Sequence, residues 1–200
     1  MDRWEAENRA SIAAYDAATF QRRPTVVPLR GLCLVAYRTL MRPGNNFGLE
    51  WGQITLSEAT MVGRFYLASH KNVSRGVEVE GAVHRELAEY LLARRRVAQG
   101  SRYVHPNELT GEPYRNIRAH WLRLCEIANE ILHAEGTEDL RDERLHFYTW
   151  RHTGATRLAQ SGGDPVAIVR MMGDVDLETV MAHYFGSSLE HMQRMMDRWE

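Results

Sequence analysis

The sequence contains little cysteine and little lysine, and both shortages narrow its possible chemistry. The two cysteines, Cys33 and Cys125, are too few and too isolated for a disulfide framework or a zinc site, so reduced thiols are expected. Lys71 is the only lysine, and the other 24 of the 25 basic residues are arginine. Long apolar runs are missing as well. Residues 32–37 form one of the longest, which is far too short to cross a bilayer.

The N-terminus and the net charge exclude further classes of protein. Residues 1–8 are polar and acidic and lack the basic start and apolar stretch of a signal peptide, so we expect a cytoplasmic protein. The net charge of -1 is unusual for a dedicated nucleic-acid binder, so any positive surface for nucleic acid has to be local. A length of 200 residues with 44% hydrophobic residues is enough for one domain with a core.

The hydrophobic pattern predicts an α+β fold that is mainly α-helical. Short alternation with β-branched and aromatic residues marks residues 53–56, 64–67 and 76–79, which predicts a small three-stranded antiparallel sheet with Lys71 near its last turn. Helical spacing or composition marks most of the remaining chain. The predicted helices cover residues 2–18, 29–41, 82–98, 113–134, 149–160, 164–172, 177–184 and 189–199.

Four groups suited to phosphate chemistry are spread along this pattern: Arg42, Lys71, Arg151 and Tyr184. Each has an ordinary alternative when taken alone, because an arginine often follows a helix end or lies buried, and a lysine often occupies a turn. Their neighbours carry more information than the residues themselves. The informative segments are residues 39–44 (TLMRPG), 71–72 (KN), 148–156 (YTWRHTGAT), 172–174 (MGD) and 183–184 (HY).

In this order, the segments resemble the catalytic domain of tyrosine recombinases, the phage integrase family. The resemblance runs from about Leu29 to Tyr184, most of the chain. It implies an enzyme that acts as a site-specific DNA recombinase or integrase, cleaving and rejoining strands through a covalent 3′-phosphotyrosine intermediate. No cofactor and no metal is implied. The sequence agrees, since it shows no carboxylate cluster and no Cys/His ligand set.

The family's roles transfer to individual positions. Arg42 and Arg151 would bind the phosphate, Lys71 would protonate the leaving 5′-hydroxyl, and Tyr184 would be the nucleophile. Tyr148 stands where the family usually has histidine three residues before the second arginine, and a phenol can also donate to phosphate. His146, two residues earlier, has the wrong spacing for that position.

Several positions depart from the family's pattern. Asp174 stands where histidine or tryptophan is usual, and we expect it to cap the following helix because an ionised carboxylate repels phosphate. Asn45 replaces a frequent acidic residue. The usual nucleophile spacing falls on His183, one residue before Tyr184; His183 and His152 are therefore interpreted as possible supporting residues. These departures leave open a catalytically weakened or inactive DNA-binding or assembly protein derived from this fold.

The predicted organisation has three parts. Residues 1–28 form an N-terminal helix and linker, residues 29–186 the catalytic domain, and residues 187–200 a helix that docks either on its own domain or on a neighbouring protomer. The first part is too short for the helical core-binding domain of full-length members, which leaves a small stand-alone recombinase, a catalytic fragment or a degenerate relative.

Expected partners are double-stranded DNA and further copies of the chain in a tetramer, with a partner recombinase or accessory protein as an additional possibility. Such a protein would act in a bacterial cytoplasm or nucleoid, or be phage-encoded.

Overall fold

A computed structural model describes residues 6, 27–68, 72, 74, 76–98, 100–136, 146–173 and 177–184, the side chains of Thr179 and His183 excepted. The helices predicted over residues 2–18 and 189–199 lie outside the described residues, apart from Ala6. Lys71 and Asp174 also lie outside them. The division of the chain into residues 1–28, 29–186 and 187–200 stays a prediction.

The described chain is mainly helical with one small sheet, so the predicted fold class is confirmed. The three strands pair antiparallel in their order along the chain, with Ile54 opposite Phe65 and Phe65 opposite Gly81. Within the described residues, none of the helices is long and apolar enough to cross a membrane. The elements are α1 (Leu29–Thr39), α2 (Pro43–Phe47), a 3-10 turn (Trp51–Gln53), β1 (Ile54–Ser57), β2 (Val62–Leu67), β3 (Val79–Val83), α3 (Arg85–Val97), α4 (Arg118–Ala134), α5 (Thr149–Gln160), α6 (Pro165–Met172) and α7 (Leu177–Tyr184).

The third strand and two helix starts differ from the prediction, and local hydrogen bonds explain both helix starts. The third strand lies at Val79–Val83 rather than 76–79, and the helix predicted from residue 82 begins at Arg85, where the His84 side chain accepts a hydrogen bond from the backbone of Glu86. The helix predicted from residue 113 begins at Arg118, whose backbone amide donates to the Asn116 side chain. Asn and His side chains thus start these helices later than hydrophobic spacing indicates.

Helix α1 lies at the centre of the molecule and joins its three hydrophobic clusters. Leu29 and Leu32 belong to the cluster with α4, Val35 to the cluster beneath the sheet, and Leu40, just after the helix, to the cluster with α5, α6 and α7. All of these side chains are almost completely buried. A segment buried on several sides has little freedom to move, so its C-terminal end can serve as a rigid reference for neighbouring side chains.

Helix α3 is joined to the loop that follows it by a polar pair that packs on α1. The Tyr90 hydroxyl is hydrogen-bonded to His105 Nε2 at 2.7 Å, and the pair lies directly over Gly31 of α1. His105 is fully buried, and this burial, aided by the charge of Arg94, lowers the pKa of its imidazole to about 3. The neutral imidazole is thus a structural group.

Candidate active site

The end of α1 is the first part of the candidate site. Leu40 ends the helix in the left-handed conformation (φ 59°, ψ 21°), which costs a residue other than glycine about 1 kcal/mol or more. Arg42 then adopts an extended conformation, as expected before proline, and Pro43 begins α2. The Leu40 carbonyl is presented to α5.

Arg151 of α5 donates a hydrogen bond to that carbonyl. Its side chain is 1% exposed, and Nη1 donates to the carbonyl oxygens of Leu40 at 2.6 Å and Met172 at 2.8 Å. Gly154, one helical turn later on α5, makes this position possible, because a Cβ there would lie 2.2 Å from the Tyr37 carbonyl oxygen of α1. These two hydrogen bonds to backbone carbonyls orient the guanidinium.

Arg42 reaches the same corner from the opposite direction. Its Nη1 donates to the Gly173 carbonyl oxygen at 3.1 Å and makes a longer contact of 3.4 Å with the Met172 carbonyl oxygen. Both arginines therefore contact one oxygen atom, that of Met172, although they are more than a hundred residues apart in sequence. The two Nη1 atoms can be no farther apart than the sum of their distances to it.

Gly173 allows this corner to form. It ends α6 with φ at 63°, and a Cβ at this position would lie 2.3 Å from Val79 Cγ2 of β3. Asn72, which is 6% exposed, donates from Nδ2 to the Gly173 carbonyl oxygen at 2.8 Å. Asn72, which lies between β2 and β3, is thereby attached to the arginine corner, which we define as Leu40, Arg42, Arg151, Met172 and Gly173. Asn72 is the sequence neighbour of Lys71.

An aromatic row extends from Arg151 towards α7. The Arg151 guanidinium carbon lies 5.7 Å from the centre of the Tyr148 ring, and the Tyr148 and His152 rings meet edge to face with centres 4.8 Å apart. His152 Nδ1 is hydrogen-bonded to the Tyr184 hydroxyl, and these two rings lie nearly parallel at 27° with centres 5.8 Å apart. The row therefore links one arginine to the predicted nucleophile.

Tyr184 is half-buried at the end of α7. Its ring packs against the hydrophobic cluster that includes Leu40 and Met172. The carbonyls of these two residues accept the hydrogen bonds from Arg151. The hydroxyl lies beside His152, whose own side chain is exposed. The tyrosine thus shares its packing partners with the arginine corner and keeps its oxygen at the surface.

The structure brings together four of the five predicted catalytic positions. Arg42, Tyr148, Arg151 and Tyr184 lie in one region, and His152, a predicted supporting residue, joins them. Lys71 is outside the described part of the chain, so its predicted role is untested, as are the helix-capping role of Asp174 and the supporting role of His183. Among the described residues there is no cluster of three or more His, Cys, Asp or Glu side chains that could hold a metal ion.

Sequence reasoning missed two residues of this region. Asn72 was seen only as a turn residue, and Leu40 only as part of a predicted helix that ended at residue 41. Neither has a signal of its own, because Leu40 contributes a backbone carbonyl and Asn72 a hydrogen bond across 101 positions. The one available clue was the position of both residues beside predicted catalytic groups.

Comparison with known proteins identifies the family of the chain. Residues 7–191 match the phage integrase family. No curated protein sequence matches the chain. The fold is similar to that of the Tn1549 transposon integrase in complex with a circular intermediate DNA, with a TM-score of 0.64 and 16% sequence identity over 84% of this chain and 57% of that one.

Two further solved structures share the fold. The XerH site-specific recombinase, in a post-cleavage complex with palindromic difH substrate, gives a TM-score of 0.59 at 15% identity over 96% of this chain and 52% of that one. The XerA recombinase gives a TM-score of 0.57 at 15% identity over 98% of this chain and 63% of that one. This chain therefore spans between about half and two thirds of the length of these proteins. At such low identity the likeness concerns the fold.

Proposed function

Since the chain belongs to the phage integrase family, we propose that it is a tyrosine-type site-specific DNA recombinase that cuts and rejoins strands through a phosphotyrosine bond to Tyr184. The observation that supports this most is the meeting of Arg42 and Arg151 at the Met172 carbonyl oxygen. Two guanidinium groups at one point form a site for an anion, and the aromatic row places a phenol hydroxyl in the same region.

The arginine corner would serve the phosphate. Attack on a phosphodiester increases the negative charge on its non-bridging oxygens, and arginine offers forked donors that remain charged at any relevant pH. Backbone carbonyls fix each guanidinium group in advance through its Nη1, so little reorganisation is needed when that charge develops. Loss of one such donor typically slows a reaction about 10²–10³-fold.

The strand exchange would proceed in two steps, cleavage and religation. The Tyr184 oxygen attacks the phosphorus, and the bond from phosphorus to the 5′-oxygen breaks, so that the strand stays attached through its 3′-phosphate. Lys71 would give the leaving 5′-oxygen its proton, and Tyr148 would donate a hydrogen bond to the phosphate. Attack by a 5′-hydroxyl on the phosphotyrosine reverses both changes and releases the tyrosine.

The partners follow from the same proposal. The substrate would be duplex DNA, consistent with the DNA complexes of Tn1549 integrase and XerH, and exchange would take place between two sites within a homotetramer. The net charge of -1 requires that the contacts to DNA be concentrated on one side of the molecule. Such a protein would act where the DNA is, in a cytoplasm or nucleoid.

A covalent adduct tests the proposal directly. The probe is a library of nicked duplexes with randomised arms, from which a short fragment diffuses away after cleavage and so traps the attached strand. We expect the unaltered chain to form a protein–DNA adduct that survives denaturing electrophoresis. Tyr184→Phe should abolish it while leaving salt-sensitive DNA binding in place.

The matched control is Tyr103→Phe. Tyr103 packs beside Arg102 and its backbone pairs with Glu50, so this change should leave adduct formation unchanged. An adduct that survives in Tyr184→Phe would mean that another residue is the nucleophile. Salt-sensitive binding without any adduct from the unaltered chain would contradict the recombinase and favour the non-cutting DNA-binding protein.

A further inference from the structure

The hydrogen bond between His152 and Tyr184 raises the question of which group carries the proton. A neutral imidazole has one N–H donor and one acceptor nitrogen. When Nε2 carries the hydrogen, Nδ1 accepts from the Tyr184 hydroxyl, and this is the arrangement in which the phenol is ready to lose its proton. On the basis of the proposed function, we propose that His152 is the general base of strand cleavage and takes the Tyr184 proton as the oxygen attacks.

The position of His152 on α5 supports this role. His152 follows Arg151 directly, and successive residues of a helix point about 100° apart. Arg151 therefore points inward, 1% exposed, whereas His152 is exposed beside α7. One turn of one helix supplies both a phosphate donor and a proton acceptor. An exposed imidazole can also exchange its proton with water between turnovers.

The proton step balances with the rest of the reaction. As the Tyr184 oxygen bonds to phosphorus, its hydrogen moves to His152 Nδ1, and the electron pair of the O–H bond remains on the oxygen that attacks. The 5′-oxygen leaves with the electron pair of the broken bond and takes a proton from Lys71, the general acid of the proposed function. In religation the imidazolium returns its proton to the departing phenolate.

The surroundings favour transfer during attack rather than before it. An ordinary tyrosine hydroxyl is a weaker acid than an imidazolium, so the proton stays on the phenol until the phosphorus begins to share the oxygen's charge. Once formed, the imidazolium lies near the bound phosphate, whose negative charge stabilises it. The Arg151 guanidinium opposes it, which favours prompt return of the proton.

Two variants of His152 separate a base from a residue that only positions the tyrosine. His152→Ala removes both functions and should slow adduct formation on the nicked DNA library about 10²–10⁴-fold, with DNA binding unchanged. His152→Asn places an amide oxygen near the former Nδ1, so it can still accept the hydrogen bond but cannot hold a proton. We expect it to be about as slow as His152→Ala. Added free imidazole should accelerate His152→Ala and leave the unaltered chain unaffected.

The matched control is His146→Ala, which removes an exposed histidine just before α5 and should leave the rate unchanged. Full activity in His152→Ala would overturn the inference. Full activity in His152→Asn, or failure of imidazole to accelerate His152→Ala, would overturn it as well and leave only a positioning role. In these cases the Tyr184 adduct still forms, so the recombinase proposal stands. A complete absence of adduct in the unaltered chain instead contradicts the recombinase itself.

Discussion

The arginine corner and the His152–Tyr184 pair lie side by side but are held together by different kinds of contact. Arg151 is buried and donates to two backbone carbonyls, while Arg42 and Asn72 donate to the adjoining carbonyl of Gly173. The pair is joined by a hydrogen bond and a near-parallel ring contact between two side chains, one of them exposed. The arginine corner is therefore part of the packed interior, whereas His152 lies at the surface of the protein.

This difference suits the two tasks that we assign to them. Groups that stabilise developing charge are most effective when they do not have to reorganise during the reaction, and buried backbone contacts prevent such movement. A nucleophile has to approach phosphorus, accept a strand and return, so its restraint has to be lighter. We therefore expect mutations in the corner to reduce both stability and activity, and mutations in the pair to reduce activity alone.

Arg151→Ala should have the largest effect on stability. It removes the donor from two carbonyls at a buried position and leaves a cavity, and we expect the free energy of unfolding to fall by about 4 kcal/mol. Urea denaturation measures it. Arg157→Ala, at an exposed position on the same helix, is the control and should stay within about 0.5 kcal/mol. Equal losses in the two variants would mean that the corner is not part of the stabilising core.

Gly173→Ala should come next. The new Cβ meets Val79 of β3 at 2.3 Å, and the positive φ is strained for alanine, so we expect a loss of about 3 kcal/mol. The control is Gly111→Ala. Gly111 has a similar φ of 71°, but a Cβ there would have no atom within 4 Å, so the free energy of unfolding should fall by only about 1 kcal/mol. The difference between the two urea midpoints isolates the close approach to Val79; identical midpoints would argue against it.

Gly154→Ala should have a smaller effect, because alanine favours the helix by about 1 kcal/mol and partly offsets the contact with the Tyr37 carbonyl. We expect a net loss of about 2 kcal/mol by urea denaturation, together with slower adduct formation as α5 moves away from α1. Gly52→Ala, where a Cβ meets nothing, should be nearly neutral in both assays. An unchanged adduct rate in Gly154→Ala would show that the position of Arg151 tolerates movement of its helix.

His152→Ala should have the smallest effect on stability and so sharpens the comparison most. Its side chain is exposed and its hydrogen bond to Tyr184 is worth about 1 kcal/mol or less. We expect a nearly unchanged urea midpoint together with the large loss of cleavage rate proposed above. A stability loss as large as that of Arg151→Ala would remove the distinction between the two regions.

How much of this the sequence could predict depends on the kind of contact. The helices and the sheet were visible because burial imposes a period on the residues, and Arg42, Arg151 and Tyr184 were visible because their chemistry requires particular side chains. The carbonyls of Leu40 and Met172 were not visible, since every residue has one and only the folded chain decides where it points. The side chains of His84 and Asn116 accept hydrogen bonds from the backbone near two helix starts, which hydrophobic spacing placed too early.

The most direct test is a crystal structure of the chain trapped on a nicked DNA substrate. The account predicts that the scissile phosphate is bonded to the Tyr184 oxygen and that nitrogen atoms of both Arg42 and Arg151 lie within about 3 Å of its non-bridging oxygens. A phosphate attached to another residue, or one that only a single arginine touches while the other still donates to the Met172–Gly173 carbonyls alone, would contradict it.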